Sequence, residues 1–170
     1  MRKAIVLSVV LVASVIVMNA QPRAIGARLG FGVEASYQHS LGEKNMLQLD
    51  AGIPCFNSFQ VVGTYNWIFP ISSWKHSGSW NLYAGVGAGA GLGWWYGKRL
   101  ILDYDGARYA SRFYGIVGGV GMFGAEYNFK FPLQVFADVR PLIGVGTSKH
   151  DVWFHTEGLW SFAIGARYRF

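Results

Sequence analysis

The adjacent pair His39–Ser40 and the group His150, Asp151 and His155 are the residues whose types and spacing could do chemistry. A histidine can take the proton of a serine hydroxyl for attack on an acyl group, provided an acidic residue orients it. Neighbours on a β-strand point to opposite faces, however, so in an extended segment His39 does not reach Ser40. Two histidines and an aspartate suit a metal by type, but no further ligand recurs at a defining spacing, and no metal site is expected. The glycines Gly85, Gly87, Gly89, Gly91 and Gly93 alternate along one stretch, without the turn before a helix that a phosphate-binding loop requires. They are expected to form a side-chain-free inner wall with space for large residues such as Tyr83 or Arg167. A narrow ligand crevice is the sharper alternative. No catalytic residue and no cofactor follows.

A second set consists of charges: Arg28, Glu34, Asp50, Glu126, Asp138, Arg140, Arg167 and Arg169. Arg28, Asp50, Asp138, Arg140, Arg167 and Arg169 read as inward-facing in the two-residue alternation of a closed sheet, and Glu34 and Glu126 are expected to join them. Unpaired charges would be costly in a small barrel filled by side chains, so an internal salt-bridge network is expected, with a transport lumen or ligand site as the alternative.

The elements that must position these residues are strands. Trp160, Phe162, Ile164, Ala166, Tyr168 and Phe170 share one face, and Ser161, Ala163, Gly165, Arg167 and Arg169 the other. The ten steps from Trp160 to Phe170, tilted by about 40°, span roughly 25 Å, the height of the apolar band of an outer-membrane barrel. The same alternation runs through 46–55, 59–69, 80–95 and 133–140. Trp67, Trp80, Trp94 and Trp160 stand near strand ends, where membrane–water interfaces attract aromatic rings. Segment 112–129 carries apolar residues on both parities, and Gly118, Gly119 and Gly121 could host a face-switching bulge. Its register stays open.

Connections set the count. Residues 41–44, 70–79 and 130–132 read as periplasmic turns, 54–58 as a short outer connection, and 97–110 and 141–157 as outer loops. That yields seven strands if 22–40 is one. Both ends on one side require an even number, so 22–40 is expected to divide near Gly30–Phe31–Gly32, giving eight. Six or ten are the alternatives.

Residues 1–20 differ from the rest: Arg2 and Lys3 precede an apolar run from Ala4 to Val17, and Ala20 offers a small residue at a cut before Gln21. This reads as a secretory signal peptide, too short for a membrane helix. Residues 21–170 then form one domain. Losing Arg2 and Lys3 takes the formal charge from +6 to +4, which does not point to a nucleic-acid partner. Cys55 is the single cysteine, so an internal disulfide is excluded.

The closing residues Gly165, Tyr168 and Phe170 match the spacing Gly-x-x-aromatic-x-aromatic and resemble the terminal signal read by the bacterial barrel-assembly machinery. Ala163 departs from it where a polar residue often stands. As a whole, residues 21–170 resemble small outer-membrane barrels of the OmpX and OmpA-domain type. The runs Gly124–Leu133, Asp138–Pro141 and Arg167–Phe170 are similar to outer-membrane β-barrel proteins without an assigned role. The resemblance implies an all-β, antiparallel, up-and-down transmembrane barrel in a Gram-negative outer membrane. It also implies contact with lipid and lipopolysaccharide and a biogenesis partner in the assembly machinery.

The expected function is non-enzymatic: envelope integrity, or surface interaction with an extracellular protein or ligand through loops 97–110 and 141–157, by a monomer. A lipid A-modifying enzyme or a narrow transporter are the alternatives. The lipid A deacylases carry a His-x-Ser arrangement that His39–Ser40 does not match.

Overall fold

The structure, a computed structural model, describes residues 22–71, 78–94, 100–103, 106–109, 113–149, 151–157 and 161–170. The expected signal segment and its cut, His150 and Trp160 lie outside these residues, as do the side chains of Cys55 and of loop 97–110.

Alternating sequence produces strands throughout: β1 (Arg23–Leu29), β2 (Val33–Ser40), β3 (Asn45–Ile53), β4 (Ser58–Ile71), β5 (Gly78–Trp94), β6 (Leu100–Asp103), β7 (Gly106–Tyr109), β8 (Phe113–Phe129), β9 (Leu133–Val139), β10 (Leu142–Thr147), β11 (Val152–Glu157) and β12 (Phe162–Arg169). The turn at Gly30–Phe31–Gly32 does divide 22–40, into β1 and β2. All but the β6–β7 hairpin belong to one antiparallel wall.

Two pairs of these segments are single wall strands. β9 and β10 keep one register on β8, Val139 facing Phe123 and Leu142 facing Val120. Between them Pro141 has no N–H to give, which interrupts the ladder without shifting it; its carbonyl still accepts from Gly121 N–H at 3.0 Å. β11 and β12 likewise follow one another along the wall, but with a change of register: Glu157 faces Leu142 while Phe162 faces Val139. Five steps on one strand thus answer three on its neighbour, an excess of two residues. Counted so, the wall is a closed, up-and-down barrel of eight strands. Its seam is β1 against β12, where Arg23 and Phe170 exchange backbone hydrogen bonds of 3.0 and 2.8 Å.

The stagger can be walked. Leu133 faces Tyr168, then Ile25, Tyr37, Leu49, Gly63, Ala88, Gly119 and Ile143 in turn. One circuit ends ten residues further along the strand it began on. With eight strands this sets a tilt of about 40°.

The wall is uneven in height. β1, β2 and β3 have 7, 8 and 9 residues, β4 has 14, and β5 and β8 have 17 each. A tilted 17-residue strand rises roughly 40 Å along the axis, so β4, β5, β8, β10 and β11 extend beyond the short side as a flared sheet. The opposite end carries Pro22 and Phe170.

Several expectations need correction. Residues 141–157 are mostly the β10–β11 hairpin, because Ile143 and Val145 alternate with Gly144 and Gly146 past the proline break. Loop 97–110 contains the β6–β7 hairpin. The strand expected over 46–55 stops at Ile53, since Pro54 opens a 3-10 turn, Pro54–Phe56, that includes Cys55. Turn 70–79 is shorter than read, with β4 reaching Ile71 and β5 starting at Gly78. β8 has no bulge: it pairs without interruption from Gly78–Phe129 to Trp94–Phe113. Both parities of β8 are apolar because its inner face meets an apolar stretch of the interior.

Candidate functional site

The inner faces build three tiers. At the flared end, Val62, Ile116, Val120 and Leu142 form a dry cluster with Tyr114, against which Trp153 packs. Cluster residues and two buried amides fill the space over the glycine wall: Tyr114 lies over Gly93, Val62, Val120 and Leu142 over Gly89, Gln60 over Gly91 and Asn66 over Gly85. Tyr83, by contrast, lies over Gly124, and Arg167 over the ring of Phe136. The residues expected to use the glycine wall therefore use other space.

The middle tier is ionic. Arg28 donates from Nε to Asp138 at 2.8 Å and from Nη1 to Glu34 at 2.5 Å. Arg140 reaches the other oxygen of Glu34 at 2.5 Å and Asp50 at 2.8 Å. Two arginines and three carboxylates so form one chain, Asp138–Arg28–Glu34–Arg140–Asp50, and each of the five is at most 4 % exposed. Ser36 and Gln48 also donate to Asp50, at 2.6 and 2.9 Å, and the Tyr83 hydroxyl donates to Asp138 at 3.1 Å. Buried charges persist only when paired and hydrogen-bonded to this degree.

The third tier is linked through amides. Arg167 donates to Ser36 at 3.0 and 2.9 Å and to the Gln38 and Gln134 side-chain oxygens at 3.3 Å. The amide nitrogens of Gln134 and Gln38 donate in turn to Glu126 at 2.8 and 3.4 Å. Asn81 and Asn128 complete the Glu126 shell at 2.9 and 3.3 Å. Two glutamines thus carry polarisation between a buried cation and a buried anion that do not touch. Below them a cavity of about 180 Å³ opens at the Pro22/Phe170 end, lined by Arg23, Gln38, Ser40, Asn81, Glu126 and Arg169 among others.

Arg28, Glu34, Asp50, Asp138 and Arg140 are brought together, and Arg167 and Glu126 join through glutamines. Arg169 is not in this network: its Nη2 donates to the carbonyls of Phe129 and Phe131, at 2.6 and 3.2 Å. A terminal position lets it reach the β8–β9 turn before any inner carboxylate. Ser36 and Gln38 are contributors that charge alone did not mark, although they share the parity of Glu34. Ser40 lines the terminal cavity while His39 contacts Tyr37, so the two stand apart. Asp151 and His155 belong to no group of metal-ligand type among the described residues.

Outside, the wall is apolar. Trp67 is 44 % exposed and meets Tyr65 edge-on at 5.4 Å; Trp80 is half-buried and tilts against Tyr127 at 4.9 Å. Trp94 is half-buried at the flared end. Tyr168 and Phe170 project outward, while Gly165 lies under Phe136 on the inner side. No protein-family model, curated protein or solved structure matches the chain.

Proposed function

We propose that the chain is an integral outer-membrane barrel, exported by residues 1–20, that works through its outer surface rather than by catalysis or solute transport. The inverted distribution of polarity supports the membrane part. Arg28, Glu34, Asp50 and Asp138 are sealed inside, while Ile25, Leu49, Phe59, Phe123 and Ile164 are 48–60 % exposed outside. Water would penalise such an exterior, and hydrocarbon would not.

One observation carries the surface part. The apolar exterior continues onto the flared sheet, above the roughly 25 Å that lipid tails cover. There Val152 and Phe154, 73 % and 74 % exposed, project from β11. Among the described strands β11 pairs with β10 alone, and an apolar edge strand is a ready template for an extended segment of another protein.

The test compares cells carrying the wild-type chain with cells carrying Val152→Asp/Phe154→Asp. Both are expected in the outer-membrane fraction with heat-dependent gel migration. Adhesion to immobilised protein is expected to fall about tenfold or more, the loss from withdrawing two apolar anchors. Equal adhesion would reject surface presentation by β11, and absence of the wild type from the membrane fraction would reject the membrane reading.

A further inference from the structure

We propose that the barrel's outer wall holds one acyl chain of a glycerophospholipid in a fixed groove over β8, β9 and β12, with its phosphate at the Lys130 turn. This rests on the membrane reading above.

Three alanines on adjacent strands make the floor: Ala125 faces Ala137 across β8–β9, and Ala166 lies beside them on β12. Larger side chains stand around them, with Leu29 and Ile164 towards the flared end and Trp80 and Val135 towards the terminal end. The resulting groove is almost wholly apolar, open to the surroundings, and offers about 500 Å³. At about 30 Å³ per water-sized group, that is room for some sixteen groups, the size of one fatty acyl chain.

The lower end carries the complement for a headgroup. Ring contacts descend from Trp80 to Tyr127, Phe129 and Phe131 at 4.9, 4.7 and 4.9 Å. Rings of this kind favour the membrane–water boundary. They end at the turn where Lys130 is exposed and the Arg169 guanidinium is tied to the Phe129 and Phe131 carbonyls. Exposed Lys130 therefore stands where the phosphate of a lipid lying in the groove would emerge, on a turn that Arg169 fastens from the cavity side.

The test uses the full chain extracted from outer membranes in mild detergent, with bound lipid counted by native mass spectrometry and organic extraction. Wild type is expected to retain one phospholipid per barrel. Ala137→Phe and Ala166→Phe, which fill the floor, are each expected to lower retention about tenfold, and Lys130→Glu severalfold. Circular dichroism and heat-dependent migration establish folding of each variant, and Lys130→Glu leaves the packing untouched. Equal retention in all four proteins overturns the proposal. So does lipopolysaccharide as the sole retained lipid, or a lipid-free dimer broken by Ala137→Phe. A wild type found outside the membrane fraction fails the membrane reading and the groove together, whereas equal retention by membrane-inserted proteins fails the groove alone.

Discussion

The guanidinium of Arg167 lies 3.7 Å from the centre of the Phe136 ring. Beneath that ring is Gly165, its direct partner across β9–β12. The same arrangement recurs where Tyr83 faces Gly124, Tyr114 faces Gly93 and Trp153 faces Gly146. A bore this narrow accepts a large ring from one strand only where its neighbour supplies none.

Gly165→Val is therefore expected to destabilise the barrel by about 1–3 kcal/mol through overpacking. Combined with Phe136→Ala, the two changes should be clearly non-additive, read from urea midpoints of the refolded protein. Strict additivity would mean that Gly165 serves only as part of an assembly signal.

Arg28 bridges Asp138 and Glu34. Arg28→Met leaves both buried carboxylates short of a cation, and a loss of about 3–5 kcal/mol is expected. Equilibrium unfolding in lipid vesicles measures it; a loss below about 1 kcal/mol would show the network to be loosely held.

Glu126 accepts from four amide nitrogens. Glu126→Gln replaces one acceptor oxygen with a donor facing donors, and about 1–3 kcal/mol is expected to be lost. Amide resonances of Gln38 and Gln134 should shift together in NMR spectra, because both side chains contact the substituted group. An unshifted Gln134 would contradict the arrangement.

Side chains close the bore at the ionic tier. Planar-bilayer recording of the refolded barrel in ordinary salts is expected to show no steady conductance. Reproducible unitary steps would require a path around Arg28 and Arg140 and would revive the narrow-transporter reading.

The two-residue alternation made most of the wall legible, along with the inner placement of Asp50, Asp138 and Arg167. It faltered where an inner face turns apolar. In β8, Ile116, Val120 and Met122 point inward just as Phe123 and Tyr127 point outward, and the sequence then has no contrast to read. Pro141 hid β10 for a different reason: it removes one donor from the ladder yet leaves the strand in register. The pairing within the ionic tier was beyond sequence, because Arg28 and Asp138 lie on β1 and β9, two strands that do not adjoin in the wall. Only the closure that inserts β12 between them, and the length of an arginine, brings these side chains together.

The surplus of two residues between Glu157 and Phe162 has a bearing on how such a chain can vary in length. A single added residue would turn β12 over, sending Arg167 into the surroundings and Ile164 into the bore. Two leave every side chain on its own side. Insertions and deletions in this wall are thus tolerated as even numbers, and relatives of different length should differ within strands by pairs while varying freely at the turns.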